Sequence, residues 1–162
     1  MSDHTRRGHR VRQTGPGRVT SLEGHMKQPQ PPSNAAQLSA AVTRHCADQG
    51  YAVVGPATDK HGYLTFQVSI PGQGSPAGIA LNGEVFCLTF PAGYGWTEYA
   101  QTPADTAETL ADVLAFLDAY ADPATREVEV KRRLRRTRLE LHMSNGAVLR
   151  RRGWSSGPPS SG

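Results

Sequence analysis

The stretch GIALNGEVFCLTF, residues 78–90, predicts a β-hairpin and, through it, the class of the fold. Asn82-Gly83 is a dipeptide that two-residue hairpin turns favour, because both central residues of such a turn need positive φ angles. A turn at this position sets Ile79 opposite Phe86. The apolar residues that the alternation adds to the same face are Leu81, Leu88 and Phe90. We therefore expect two antiparallel strands with one buried face.

The segments before the hairpin predict two more strands and a helix. YLTFQVSI (63–70) alternates strictly between apolar and polar residues, and YAVV (51–54) is typical of a short strand. AAQLSAAVTRHCADQ (35–49) has helical spacing, with Asn34 and Gln37 as a capping box and Gly50 as a C-cap. The helix face expected to pack on the sheet consists of Leu38, Ala41, Val42, His45 and Cys46.

The segments after the hairpin complete an α+β prediction. An aromatic connection, PAGYGWTEYAQTP (91–103), precedes a helix from about Ala104 to Tyr120 with an apolar stripe. Apolar and charged residues then alternate with a period of two, which predicts three strands near 126–133, 138–143 and 147–152. The arginines should lie on the outer face of these strands and the aliphatic residues on the other face. The expected fold is an antiparallel meander sheet with two helices packed on one face, in the order α-β-β-β-β-α-β-β-β.

Length and composition indicate one domain between two tails. The 162 residues allow a single core, which we place at 35–152. Residues 1–34 lack apolar periodicity and should be disordered, and GWSSGPPSSG (153–162) should be a flexible tail. The peptide LEGHM resembles a cloning remnant, so residues 1–25 are left out of the functional argument and Met26 is a candidate start. With no apolar run long enough to span a membrane and no export signal, we expect a cytoplasmic protein.

Charge divides the chain into an acidic body and a basic end. Residues 28–125 carry two Lys/Arg against nine Asp/Glu, whereas residues 126–162 carry ten against three and residues 1–27 six against two. Arginine outnumbers lysine 15 to 3, which is typical of GC-rich genomes such as those of actinobacteria. This asymmetry predicts a charged partner, or contact between the two parts.

No catalytic or metal-binding signature is present in the sequence. His45, His61 and His142 have no ligand-like spacing to one another or to the two cysteines. GQGSPAG (72–78) lacks the lysine of a phosphate-binding loop. We expect a non-enzymatic protein without metal or cofactor; a site assembled from Glu84, His61 and Asp59 is the enzymatic alternative.

Two surfaces are candidates for binding. The first combines the aromatic connection with the acidic helix and would bind a basic protein through Tyr94, Trp96, Tyr99, Asp105, Glu108 and Asp112. The alternative for Trp96 is that it covers the core between the sheet and the second helix. The second surface would contact nucleic acid through Lys131, Arg132, Arg133, Arg135, Arg136 and Arg138. We expect that contact to be weak, because the acidic body repels phosphates, and expect these arginines mainly to solvate the sheet and pair with acids on the body.

The layout resembles two groups of small α+β domains. A helix, Gly50-Tyr51, and a strand meander with the turn DKHGY (59–63) precede a second helix and further strands. This order is similar to that of actinobacterial immunity proteins and of secretion-chaperone-like domains. The resemblance implies binding of another protein. We also expect no membrane contact, and a monomer or a homodimer. It assigns a role to no individual residue.

Overall fold

The computed structural model describes residues 34–131 and 137–151, and it has the predicted α+β class. Within these residues, two α-helices and eight strands follow the order α-β-β-β-β-β-α-β-β-β. Their bounds are α1 Ala35–Gln49, β1 Ala52–Thr58, β2 Leu64–Ser69, β3 Ala77–Leu81, β4 Val85–Phe90, β5 Tyr94–Tyr99, α2 Thr106–Ala121, β6 Arg126–Lys131, β7 Thr137–His142 and β8 Val148–Arg150. The tails predicted at 1–34 and 153–162 lie, apart from Asn34, outside the described residues.

The first five strands form one antiparallel meander, and the last three form a second sheet. The prediction of an aromatic connection is wrong at its centre, because Tyr94–Tyr99 is the edge strand β5. Trp96 pairs with Leu88 and Tyr94 with Phe90, so both aromatic rings join the inner face of the sheet. Apolar packing on that face therefore outweighs the low strand propensity of the glycines.

The β3–β4 hairpin has a different register from the one predicted. Leu81, not Ile79, pairs with Phe86, a shift of two residues that leaves every side chain on its predicted face. The cause is the Asn82 side chain, whose Oδ1 accepts hydrogen bonds from the backbone N–H groups of Glu84 (3.0 Å) and Val85 (2.8 Å). Asn82 therefore opens the turn as an Asx residue, and Gly83, at φ 93°, is its central residue with positive φ.

Both helices pack on the inner face of the five-stranded sheet, as predicted. α1 contacts β1 and β2, and α2 contacts β4 and β5. Trp96 stacks on Phe116 of α2 with ring centroids 4.3 Å apart and planes 3° from parallel. The largest fully buried side chains include Phe66, Phe86 and Ile79. The C-cap at Gly50 is confirmed by its left-handed φ of 73°, whereas Asn34 makes no side-chain capping bond.

Asp118 links the two helices through a partly buried hydrogen-bond cluster. Its Oδ1 lies 3.0 Å from Nε2 of His45 on α1 and accepts a 3.1 Å hydrogen bond from the hydroxyl of Tyr51. Burial and then the Asp118 carboxylate raise the pKa of Tyr51 to about 12, so the tyrosine remains a donor at neutral pH. The cluster gives α1 and α2 a fixed relative position.

The prediction that the three-stranded sheet has arginines on one face and aliphatic residues on the other is wrong for β6. Val128 pairs with Glu140 and Val130 with Arg138, which places both valines on the charged outer face. The inner face carries Leu139, Leu141, Met143 and Leu149, of which the last three are buried. The register of β6 against β7 decides which residues share a face, and the sequence pattern does not specify that register.

No helix within residues 34–131 and 137–151 is both long and apolar enough to cross a membrane.

Candidate functional site

An open cleft of about 700 Å³ lies at the end of the five-stranded sheet where both helices begin. Its floor is the β3–β4 turn, residues 82–85, and its walls are Asn34, residues 99–103 and Thr106. We call it the end cleft. It brings together three segments that are far apart in the sequence: Asn34, residues 82–85 and residues 99–106.

Backbone and side-chain hydrogen bonds hold the walls of the end cleft in place. The hydroxyl of Thr106, which is buried, donates to the carbonyl oxygen of Gly83 over 3.1 Å. The backbone N–H of Ala100 donates to the carbonyl oxygen of Glu84 over 2.9 Å. The side chain of Asn34 lies over Gly83, 3.1 Å from the point that a Cβ atom would occupy. Because the turn is tied to α2 and to the end of β5, the cleft is preformed.

The end cleft and the adjoining side of α2 are acidic. Glu84 is exposed on the cleft floor, and no Lys, Arg or His is among the lining residues within 34–131 and 137–151. Asp105 immediately precedes α2, and Glu108 and Asp112 follow it at spacings of three and four residues, which places the three acids on one side of the helix. The carboxylate of Asp105 accepts a 2.9 Å hydrogen bond from the Thr102 N–H, while Glu108 and Asp112 are exposed. The predicted acidic surface is therefore continuous with the cleft.

The three predicted aromatic residues take different positions. Tyr99 is 55% exposed and lines the end cleft. Tyr94 is buried, and its hydroxyl donates a 2.6 Å hydrogen bond to Oε2 of Glu127. Burial, followed by the hydrogen bond to Glu127, raises the pKa of Tyr94 to about 12. Trp96 is half-buried against Phe116, so it covers the core, as the alternative for this residue stated.

The predicted arginine surface is only partly described. Arg132, Arg133, Arg135 and Arg136 lie outside the described residues; Lys131 is exposed on β6. Arg138 forms an ion pair with Glu140, a buried carboxylate that also lies 3.3 Å from Nε2 of His142 and 3.9 Å from Nε of Arg150. The Arg138 hydrogen bond lowers the pKa of Glu140, and the neighbouring cations add to this effect. Within the described ranges no ion pair joins these arginines to acids of the body. The acidic and basic parts do contact each other, through the hydrogen bond from Tyr94 to Glu127 and through packing of β5 against β8.

The residues of the enzymatic alternative serve different purposes. Oδ1 of Asp59 accepts hydrogen bonds from the backbone N–H groups of His61 (2.8 Å) and Tyr63 (2.9 Å), which closes the β1–β2 turn. These bonds lower the pKa of Asp59. Glu84 lines the end cleft and His61 does not. In the part of the chain that the structure describes, no three His, Cys, Asp or Glu side chains form a group that could hold a metal ion.

Sequence reasoning missed the part that Asn34, Gln101 and Thr102 take in the cleft. Their polar side chains carry no periodic signal, and only the meeting of helix starts and strand ends brings them together. No protein-family model matches the chain, and no curated protein or solved structure matches it either.

Proposed function

We propose that the protein is a non-enzymatic binding module whose end cleft takes a basic segment of another protein. The observation that carries the proposal is Tyr99, an exposed aromatic side chain, beside Glu84 in an open cleft whose described lining residues include no cation. Aromatic faces attract Lys and Arg side chains, and carboxylates accept their hydrogen bonds. The exposed acids Glu108 and Asp112 extend the negative charge of this surface along α2.

Rigidity supports binding to a partner more than catalysis. The cleft walls are held by the hydrogen bonds of Thr106 and Ala100, so little order is lost when a partner binds. Tyr99 has few rotatable bonds and gives a large contact area at a low entropic cost. Among the lining residues that the structure describes, no nucleophile is paired with a base, the arrangement that covalent catalysis needs.

The test is an NMR titration of the labelled protein with an arginine-rich peptide, and with a glutamate-rich peptide of equal length as the negative probe. We expect the arginine peptide to shift the amide resonances of residues 82–85 and 99–103. Tyr99→Ala and Glu84→Gln should each weaken the affinity about threefold to tenfold. Asp48→Asn, which removes an exposed acid near the other end of α1, is the matched control and should have little effect. Shifts spread evenly over all acidic surfaces, or equal losses for Asp48→Asn and Glu84→Gln, would contradict the proposal.

A further inference from the structure

The end cleft offers a ligand one aromatic ring and one carboxylate. Among its lining residues within 34–131 and 137–151, Tyr99 is the single aromatic residue and Glu84 the single acid. The other lining side chains that the structure describes are neutral, and those with amide groups are Asn34, Asn82 and Gln101. A cation that enters the cleft therefore meets two groups that attract it, in otherwise uncharged surroundings.

Tyr99 and Glu84 occupy neighbouring positions at the ends of two paired strands. Tyr99 pairs with Val85, which directly follows Glu84 in the chain. The N–H of Ala100, the residue after Tyr99, donates to the Glu84 carbonyl oxygen over 2.9 Å. Both side chains are exposed, and within the described ranges Glu84 forms no ion pair. The ring and the carboxylate are therefore both accessible to a ligand.

The two basic side chains differ in how they use such groups. The guanidinium of arginine is planar and weakly hydrated, so its face stacks on an aromatic ring and its edge forms two parallel hydrogen bonds with one carboxylate. The ammonium of lysine is a compact, strongly hydrated point charge, and a single carboxylate replaces only part of its hydration. Each of the two groups in the cleft therefore favours arginine.

From this composition we infer that the end cleft selects arginine over lysine in its partner segment, with Tyr99 and Glu84 as the residues that determine the specificity. The inference rests on the function proposed for the cleft and names the side chain that the cleft takes. Methylated lysine is excluded as the preferred ligand, because quaternary ammonium groups bind in aromatic cages and the described lining has one ring. Glu108 and Asp112 lie outside the cleft and attract both basic side chains through charge alone.

The test compares two peptides of equal length and charge, in which every basic residue is arginine in one and lysine in the other. Fluorescence anisotropy of each labelled peptide, titrated with the full chain at about physiological salt, gives the two dissociation constants. We expect the arginine peptide to bind about fivefold to tenfold more tightly. A third peptide, with citrulline in place of arginine, keeps the shape of the side chain without its charge and should not bind measurably.

Substitutions in the protein show whether the cleft is the source of this preference. Tyr99→Leu keeps an apolar side chain without the ring, and Glu84→Gln removes the carboxylate. Each should reduce the ratio of the two dissociation constants to about two or less. Glu108→Gln, which removes an exposed acid outside the cleft, is the matched control, and it should weaken both peptides equally and leave the ratio unchanged. Circular dichroism should show that the three variants are folded.

The outcomes separate the selectivity for arginine from the function on which it rests. A protein that binds neither basic peptide, or that binds the citrulline peptide as tightly as the arginine peptide, would overturn both. Equal dissociation constants for the arginine and lysine peptides would overturn the selectivity alone. A preference for arginine that Tyr99→Leu and Glu84→Gln both leave unchanged would do the same, because it would arise outside the cleft.

Discussion

The replacement of Phe86 by alanine tests how the sheet and its core are assembled. Phe86 is fully buried in the cluster between the five-stranded sheet and the helices, and it pairs with Leu81 on one side and Glu98 on the other. A buried phenylalanine removes about 150–250 Å² from water, which at about 25 cal/mol per Å² corresponds to about 4–6 kcal/mol. Alanine retains a small part of this, and the remaining cavity relaxes only partly. We therefore expect Phe86→Ala to lower the free energy of unfolding by about 3–5 kcal/mol.

The assay is urea unfolding followed by far-UV circular dichroism, with thermal unfolding as a second measurement. The loss should move the urea midpoint without a large change in the m-value, and should lower the melting temperature by roughly 10–20 °C. Cys87→Ala is the matched control, since Cys87 adjoins Phe86 in sequence but lies on the opposite face. That change should cost less than about 1 kcal/mol. A cost below about 1 kcal/mol for Phe86→Ala, or equal costs at the two positions, would refute the assignment of the inner face.

Three further predictions concern other parts of the chain. Trp96→Ala should lower the free energy of unfolding by about 2–3 kcal/mol, because it removes the stack on Phe116, and urea unfolding will measure this. Glu140→Gln should lower the free energy of unfolding at pH 7, and urea titrations at several pH values will measure this loss. Because folding lowers the pKa of Glu140, the difference in stability between the two proteins should disappear as the pH falls from about 4.5 through the folded-state pKa. In mobility-shift assays at about physiological salt, duplex DNA should bind weakly and without sequence preference, and replacing the four arginines in residues 132–136 by alanine should reduce the salt dependence.

Strict apolar alternation made much of the large sheet predictable. In YLTFQVSI, Leu64, Phe66, Val68 and Ile70 are all buried, as their period of two indicates. β5 was missed because its inner positions hold Tyr94, Trp96 and Glu98, residues that are also common at interfaces and loop ends. Only the pairing with β4 shows that this segment is a strand and not a loop, and the sequence of the segment alone does not contain that pairing.

The candidate site was less predictable than the fold. Tyr99 and the acids of α2 were identified from the sequence because exposed aromatic and charged residues stand out in it. The cleft itself depends on the Asx turn at Asn82, which moved the hairpin register and directed Gly83 towards Thr106. A two-residue shift of this kind preserves the alternation, so no pattern in the sequence reports it.

The two ends of the described chain lie at opposite ends of β4. Asn34 lies over Gly83 beside the end cleft, whereas Arg151 lies next to Gly93 in the β4–β5 turn. In a variant that begins at Asn34, a purification tag or surface tether would be joined at the wall of the cleft and would compete with a ligand. Immobilisation through the segment after Arg151 would leave the cleft pointing away from a sensor surface, and it is the orientation to use for binding measurements.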